Sequence, residues 1–330
     1  MTSNGIPESG ALALEVRDLT KTYQLGLRMR RVAALDGLNL KVKAGSIFGF
    51  VGPNGAGKST TIKMITGLIA PTRGEASIFG QPFTKASSRE AIGYLPENPS
   101  FHDFLRPLEV LEFFGRLSGL SGEPLRRRAV EMLEMVGLSR AQDLTVRKFS
   151  KGMVQRLGLA QAMIHDPPLL ILDEPMSGLD PIGRKEVRDL MLELRRRGKT
   201  IFFSTHILPD VETICDEVGM LFGGRLVAQG SLSTLLDGSV RAVEVRCAGL
   251  SAETVSALSA SAQSASSSSE GWTFLFGDLA DANQAAARVV AAGGRITLLQ
   301  AQRESLEESF VRLAAATAHG EAGEGQSISG

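Results

Sequence analysis

Cysteine is scarce in this sequence. Only two occur in 330 residues, Cys215 and Cys247, each among apolar neighbours and neither in a CxxC pair or a histidine-rich cluster. That argues against a disulfide framework or a thiolate metal centre, and a reducing compartment fits. Net charge is missing as well: 36 Lys plus Arg balance 36 Asp plus Glu, so no global field draws the chain to nucleic acid or acidic lipid. No uncharged apolar run reaches the ~18 residues that a membrane crossing needs. The start, MTSNGIPESGALALEV, lacks the basic-then-apolar order of an export signal, and the expectation is a cytoplasmic protein. Sustained heptads, a basic stripe and a nucleic-acid module are absent too, so no nucleic-acid partner is expected. What is present is 43% hydrophobic residues, enough for one large core or a main core with a smaller one.

Residues 14 to 50 read as strands and turns, with LEVRDLTKTY early and SIFGFV late, interrupted by the basic stretch LRMRR at 27 to 31. A helical pattern covers Ser59 to Leu68, and Glu75 to Phe79 is strand-like. From Pro107 to Ile164 nearly everything has helical period, which predicts a helical insertion over about 98–164. Strand signals return at LLILD (169 to 173), TIFFST (200 to 205) and VGMLF (218 to 222), with helical RKEVRDLMLELRRR between the first two. Such alternation predicts an α/β fold, a largely parallel sheet covered by helices. Near residue 240 the composition changes. Alternating RAVEVRC, a Ser/Ala-rich stretch (251 to 269), WTFLF, DANQAAARVVAA, RITLL and a last helix near ESLEESFVRL predict a small α+β module over 240–314. A disordered tail is expected over 315–330, which is polar and Gly-rich at its end.

Gly52-Pro53-Asn54-Gly55-Ala56-Gly57-Lys58-Ser59 matches GxxxxGK[ST], after the apolar strand IFGFV and before a helix that opens at Thr60. An ordinary Gly-rich turn would need neither the flanking elements nor the Lys-Ser pair. Gly55 and Gly57 let the backbone turn N–H groups inward around phosphates, Lys58 supplies a point charge, and the Ser59 hydroxyl can ligate Mg²⁺. Such a loop needs a carboxylate for the metal, and Asp173 ends LLILD where a doubly wound sheet places its ligands. Glu174 follows it, able to approach an attacking water as general base. The other reading of this pair is a charged strand end in solvent. His206 closes TIFFSTH and lies near the same sheet edge if that strand neighbours LLILD; taken alone it reads as structural. Further along, KFSKGMVQRL sets Ser150 and Gly152 before Met153, Leu157, Ala160 and Ile164 at helical spacing. Small polar residues thus stand at a helix N-terminus, where free N–H groups favour bound phosphate.

In order and spacing these residues resemble the nucleotide-binding subunits of ABC transporters, along residues 14 to 230 within an expected ATP-binding domain of 12–235. The resemblance implies a P-loop NTPase core with a mainly parallel sheet, an antiparallel β subdomain and a helical subdomain. It implies ATP and Mg²⁺ as ligands, with Tyr23 stacking on adenine, Glu97 as a linker reaching the metal with Ser59 and Asp173, and Glu174 and His206 as the catalytic pair. By itself Tyr23 reads as a core or strand residue. Phe149-Ser150-Lys151-Gly152-Met153 stands where the family has LSGGQ, and Ser177-Gly178-Leu179-Asp180 where it has its D-loop. The family arrangement is a head-to-tail pair in which the signature of one subunit caps ATP held by the other, so a homodimer around two Mg·ATP is implied. Two positions depart from the family: the signature keeps Ser and the second Gly but loses the terminal Gln, and the linker carries Glu97 instead of Gln. Both departures, with IGYLPEN and SLEESFVRL, resemble the ABC-2 exporter subset, whose membrane part is usually a separate polytopic permease.

In that setting NPSFHDFLRPLEVLEFFGRLSGL (98 to 120) either receives a permease helix, through Phe101, Phe104 and Leu105, or fills the helical subdomain. LRMRR is either a lipid contact or a solvated loop. The 240–314 module binds a regulator, pairs with its copy or simply packs. A rival function is a non-transport ATPase of the same family acting on ribosomes or DNA. Those proteins usually carry two such domains or long coiled-coil arms, and only one phosphate loop is present here.

Overall fold

In the computed structural model, which describes residues 11–25, 30–236, 240–303 and 305–324, the chain forms two units. One takes in the described residues up to Leu232 and from Leu313 onward, and the other is Ser233–Arg312.

The first unit runs β1 (Leu12–Leu25), β2 (Arg30–Lys43), β3 (Ile47–Val51), α1 (Lys58–Ile65), β4 (Arg73–Ile78), β5 (Gln81–Pro82), α2 (Ala86–Glu90) and β6 (Ile92–Leu95). Three longer helices follow, α3 (Pro107–Leu117), α4 (Gly122–Met135) and α5 (Lys151–Met163), with single 3-10 turns at Ser139–Ala141 and Val146–Lys148 between the last two. Then come β7 (Leu169–Asp173), α6 (Pro181–Arg196), β8 (Thr200–Thr205), α7 (Leu208–Ile214), β9 (Glu217–Phe222) and β10 (Arg225–Ser231).

Two sheets result. An antiparallel sheet has the order β2-β1-β4-β5, and a six-stranded sheet has the order β10-β9-β3-β8-β7-β6. In the latter every pairing from β9 to β6 is parallel, and only the β9–β10 hairpin is antiparallel. Strands β3, β7 and β8 are buried along their whole length, which is why they read as unbroken apolar runs. Phe48 stacks on Phe202 at 5.7 Å between ring centroids, and each such ring contributes roughly 1.5–3 kcal/mol by burial. At Gly49 the helix α7 comes in close: a Cβ there would stand 2.9 Å from Cys215 Sγ and 3.0 Å from Val211 Cγ1. A larger residue at Gly49 would push α7 away from the strand that feeds the glycine-rich loop.

The helical subdomain is built from amphipathic faces. Helix α4 buries Leu125, Ala129, Met132 and Leu133. Helix α3 starts at Pro107, and the Arg106 N–H donates to Glu109 Oε2 at 2.7 Å. Phe101 sits edge-on to Phe114 at 6.0 Å and Leu105 is half-buried, whereas Phe104 is 73% exposed.

Helix α8 (Leu232–Leu235) leads to the second unit, which runs β11 (Val240–Ala248), α9 (Ala252–Ser261), β12 (Ser264–Ser268), β13 (Gly271–Phe276), α10 (Leu279–Ala291), β14 (Arg295–Arg303) and the start of α11 (Leu306–Glu324). All its strand pairs are antiparallel in the order β12-β13-β11-β14, the β-α-β-β-α-β arrangement of ferredoxin-like modules. The alternation in RAVEVRC places Val243, Val245 and Cys247 on the face that packs with Phe274, Phe276, Leu258 and Val289.

Three details differ from the sequence expectations. Strand β6 was not legible, because IGYL is short and carries a glycine. The Ser/Ala-rich stretch forms α9 and β12, with Ser251 capping α9 by accepting from Thr254 N. Helix α11 continues to Glu324, so the tail expected as disordered from 315 begins inside a helix; LAAATA has the composition of a strong helix former. Residues 325–330 lie outside the described residues, as do 26–29, most of the LRMRR stretch; Arg31 lies in β2 opposite Gln24.

Candidate active site

The loop between β3 and α1 carries its glycines where the backbone demands them. Gly57 has φ 109°, and a Cβ there would stand 2.5 Å from the Ala34 carbonyl oxygen. Gly52 sits as tightly under the Leu221 carbonyl, at 2.3 Å. Only residues without side chains allow this loop to close over β2 and β9.

The loop forms one wall of a cleft of about 500 Å³ lined by Ala34, Pro53, Asn54, Gly55, Gly57, Lys58, Ser59, Thr60, Glu97, Glu174, Ser177 and His206. Lys58 is buried, and its Nζ donates to Gly52 O at 2.7 Å and to Pro53 O at 3.3 Å while lying 3.5 Å from Glu174 Oε1. The ammonium is therefore fixed at the mouth of the loop. The parallel register sets Asp173 of β7 beside Ser204 of β8, which is how residues 31 apart in sequence meet.

Ser59 and Glu174 also join a network of four groups, whose other two, Asp173 and Ser204, are not among the cleft-lining residues. Ser204 Oγ donates to Asp173 Oδ1 at 2.6 Å, and Ser59 Oγ donates to the same oxygen at 3.2 Å. The Glu174 N–H donates to Ser204 Oγ at 3.0 Å. Glu174 has φ 49°, a left-handed conformation that costs a non-glycine residue of order 1 kcal/mol or more, and it persists because both sides of its peptide are tied: its carbonyl accepts from Ser177 N at 3.0 Å. The turn aims its carboxylate at His206, whose Nδ1 lies 3.1 and 3.0 Å from the two carboxylate oxygens. His206 is 46% exposed at the side chain and Glu174 only 9%, so the imidazole spans from buried carboxylate to open cleft. Behind Asp173, the Tyr94 phenol is pushed up to about 12, by burial first and by the Asp173 charge second.

Among the described residues no group of three or more His, Cys, Asp or Glu side chains could hold a metal ion alone. The Ser59 hydroxyl and the buried Asp173 carboxylate supply two hard oxygen donors, a set that fits Mg²⁺, which keeps most of its shell for phosphate and water.

Not every expected residue joins the cleft. Ser150 heads α5 and accepts from Met153 N at 3.3 Å, as a cap should, but Phe149, Ser150, Lys151, Gly152 and Met153 lie outside the cleft lining. They adjoin the turn Ser177–Asp180 instead: a Cβ on Gly152 would stand 3.2 Å from Leu179 Cδ2. Asp180 caps α6, accepting from Gly183 N at 2.8 Å. Tyr23 lies on β1 opposite Val32, with Lys21 Nζ 5.3 Å from its ring centroid, and does not line the cleft. The residue missed from sequence is Ser204. Its only signal was a hydroxyl residue directly after the apolar run Ile201, Phe202 and Phe203.

Comparison with known proteins gives one family. Residues 35–177 match the family described as ABC transporter. An uncharacterized ABC transporter ATP-binding protein of Synechocystis sp. is 43% identical over 233 residues, 70% of this chain and 66% of that protein, so the chain matches just under two thirds of its length. The bacitracin transport ATP-binding protein of Bacillus licheniformis is 44% identical over 220 residues, 66% of this chain and 69% of that protein. Among solved structures, the dimeric post-hydrolysis state of an ATP-binding cassette with ADP and Pi bound is similar at TM-score 0.61 and 28% identity, over 66% of this chain and 98% of that one.

Proposed function

The chain belongs to the ABC transporter family as an ATP-binding subunit, and from that premise we propose that it hydrolyses ATP between two copies of itself and drives a separate membrane permease, in the export direction. The observation that carries this reading is the division of parts. Lys58, Ser59, Glu174 and His206 converge on one cleft, whereas the Ser150 end of α5 lies outside it. A second copy, turned head to tail, supplies the missing cap.

In this reading the N–H groups of residues 54 to 60 and the Lys58 ammonium hold the phosphates. Ser59 and Asp173, with Glu97 alongside, would hold Mg²⁺, which when bound offsets the charge of the phosphate oxygens. Glu174 takes a proton from the attacking water. His206 keeps that carboxylate oriented and faces the γ-phosphate from the same side. Ser150 and the Gly152 N–H reach the γ-phosphate from the partner, so ATP joins the two copies and hydrolysis loosens them. Tyr23 contributes stacking to adenine from the antiparallel sheet.

Among the described residues no helix is long and apolar enough to cross a membrane, which is consistent with a separate permease. The exposed Phe104, Phe113 and Leu117 of the helical subdomain are the surface offered to it. Export is supported by the ABC-2 resemblance and by relatives named for Nod factor export.

The test is Glu174→Gln. Steady-state turnover should fall by ~10²-fold or more, the usual effect of losing a general base, and light scattering should show a dimer that requires Mg·ATP. Wild-type turnover, or a variant that stays monomeric at saturating Mg·ATP, refutes the reading.

A further inference from the structure

The third signature position, usually glycine, is Lys151 here, and nothing in the function above uses its side chain. Lys151 is the first residue of α5, where the positive end of the helix dipole disfavours a cation. Among the described residues it makes no hydrogen bond or ion pair that would compensate. Its stem lies over the turn that follows Glu174 instead. Gly178 has φ 72°, and a Cβ there would stand 2.9 Å from Lys151 Cδ and 2.8 Å from both Cε and Nζ. The space that a side chain at 178 would take is occupied by the lysine.

That turn is fastened at both ends. Ser177 N donates to Glu174 O at 3.0 Å, and Asp180 accepts from Gly183 N at 2.8 Å to begin α6. Ser177 lines the nucleotide cleft. Between the two fastenings, Gly178 lies under Lys151 and Leu179 lies against Gly152. The head of α5 is thus interlocked with a loop whose first residue faces this chain's own nucleotide and whose root is the strained Glu174.

We propose that Lys151 is a positioning residue: its stem locks the head of α5 to the Ser177–Asp180 turn, so that the cap offered to the partner's nucleotide moves together with the turn lining this chain's own. This rests on the nucleotide-sandwich reading and specifies how its two sites communicate. Packing, not charge, carries the effect, since the side chain covers Gly178 and its ammonium makes no ion pair among the described residues. A glycine, as the family usually has, would leave Gly178 uncovered, with Leu179 N to Met176 O at 3.4 Å and the Leu179–Gly152 contact as the remaining ties in the middle of the turn.

Three full-length proteins test it: wild type, Lys151→Ala and Lys151→Met, the last keeping an unbranched stem without charge. Without nucleotide, amide hydrogen exchange of residues 176–180 should quicken about fivefold or more in Lys151→Ala and stay within about twofold of wild type in Lys151→Met. The Hill coefficient for ATP hydrolysis should exceed 1 in wild type and in Lys151→Met and drop to about 1 in Lys151→Ala, because two coupled sites lose their link. The proposal is overturned by wild-type exchange or an unchanged Hill coefficient in Lys151→Ala, by Lys151→Met behaving as Lys151→Ala, or by a non-cooperative wild type. Glu174→Gln separates the two levels. No Mg·ATP dimer in that variant sinks the sandwich itself, while a dimer alongside a cooperative Lys151→Ala sinks only the lock.

Discussion

Ser204→Ala is the sharpest probe of the network that joins Asp173 to Glu174. The substitution deletes an O–H that donates to Asp173 Oδ1 at 2.6 Å and an oxygen that accepts from Glu174 N at 3.0 Å. Ser204 is 0% exposed, so water does not replace either bond. A hydrogen bond to a charged group is worth ~1.5–3 kcal/mol, and a buried N–H left unpaired costs ~1–3 kcal/mol. The two losses share one network and do not add in full, and Asp173 keeps its bond from Ser59 at 3.2 Å. The expected destabilisation is therefore about 2–4 kcal/mol. Urea unfolding without nucleotide should report it as a lower midpoint at unchanged slope. Because Glu174 holds a left-handed backbone partly through that bond, its carboxylate should wander, and turnover should fall by roughly 10–100-fold. A stability within about 0.5 kcal/mol of wild type together with ordinary turnover would show that the hydroxyl does not hold the network together.

Tyr94, pushed up to about 12, gives a pH signature. A phenol raised above its unfolded value of about 10 contributes stability that is whole below pH 10 and disappears as pH climbs toward about 12; with Tyr94 half exposed, screening leaves on the order of 1 kcal/mol. The chain has two tyrosines, so the absorbance titration of wild type minus Tyr94→Phe isolates this one, and Asp173→Asn should lower its midpoint. A midpoint near 10 in wild type contradicts the reading. Asp210→Asn should cost about 3 kcal/mol in urea unfolding. Asp210 is 5% exposed at the side chain and takes Arg188 Nη1 at 2.6 Å and Arg184 Nη2 at 3.1 Å, joining α7 to α6; a loss below about 0.5 kcal/mol would mean that water serves the two guanidiniums well enough.

The glycine-rich loop, the Asp-Glu pair at a strand end and the Ser150 helix cap were readable because each is local. A loop flanked by an apolar strand and a helix, two acids at a strand end and a hydroxyl before a helical run announce themselves within a few residues. Ser204 did not, since a serine inside a strand carries no local sign of what it meets. Tyr23 read as a strand residue on its own terms and lies on β1 outside the cleft lining. Strand β6 and helix α9 escaped for the opposite reason: a four-residue strand and a Ser/Ala helix have too weak a periodicity, and pairing with β7 or capping by Ser251 decides them.

The sequence by itself determined the α/β character, the glycine-rich loop between a strand and a helix and the order of the motifs, because backbone preference and hydrophobic period act over short stretches. Only the tertiary structure decided that β7 and β8 run side by side in register, which brings Ser204 and His206 to Asp173 and Glu174, and that the head of α5 leans on the turn at Gly178 instead of facing its own cleft. Those are contacts between residues far apart along the chain. They depend on how buried surfaces share space, and no spacing along one strand or helix encodes that.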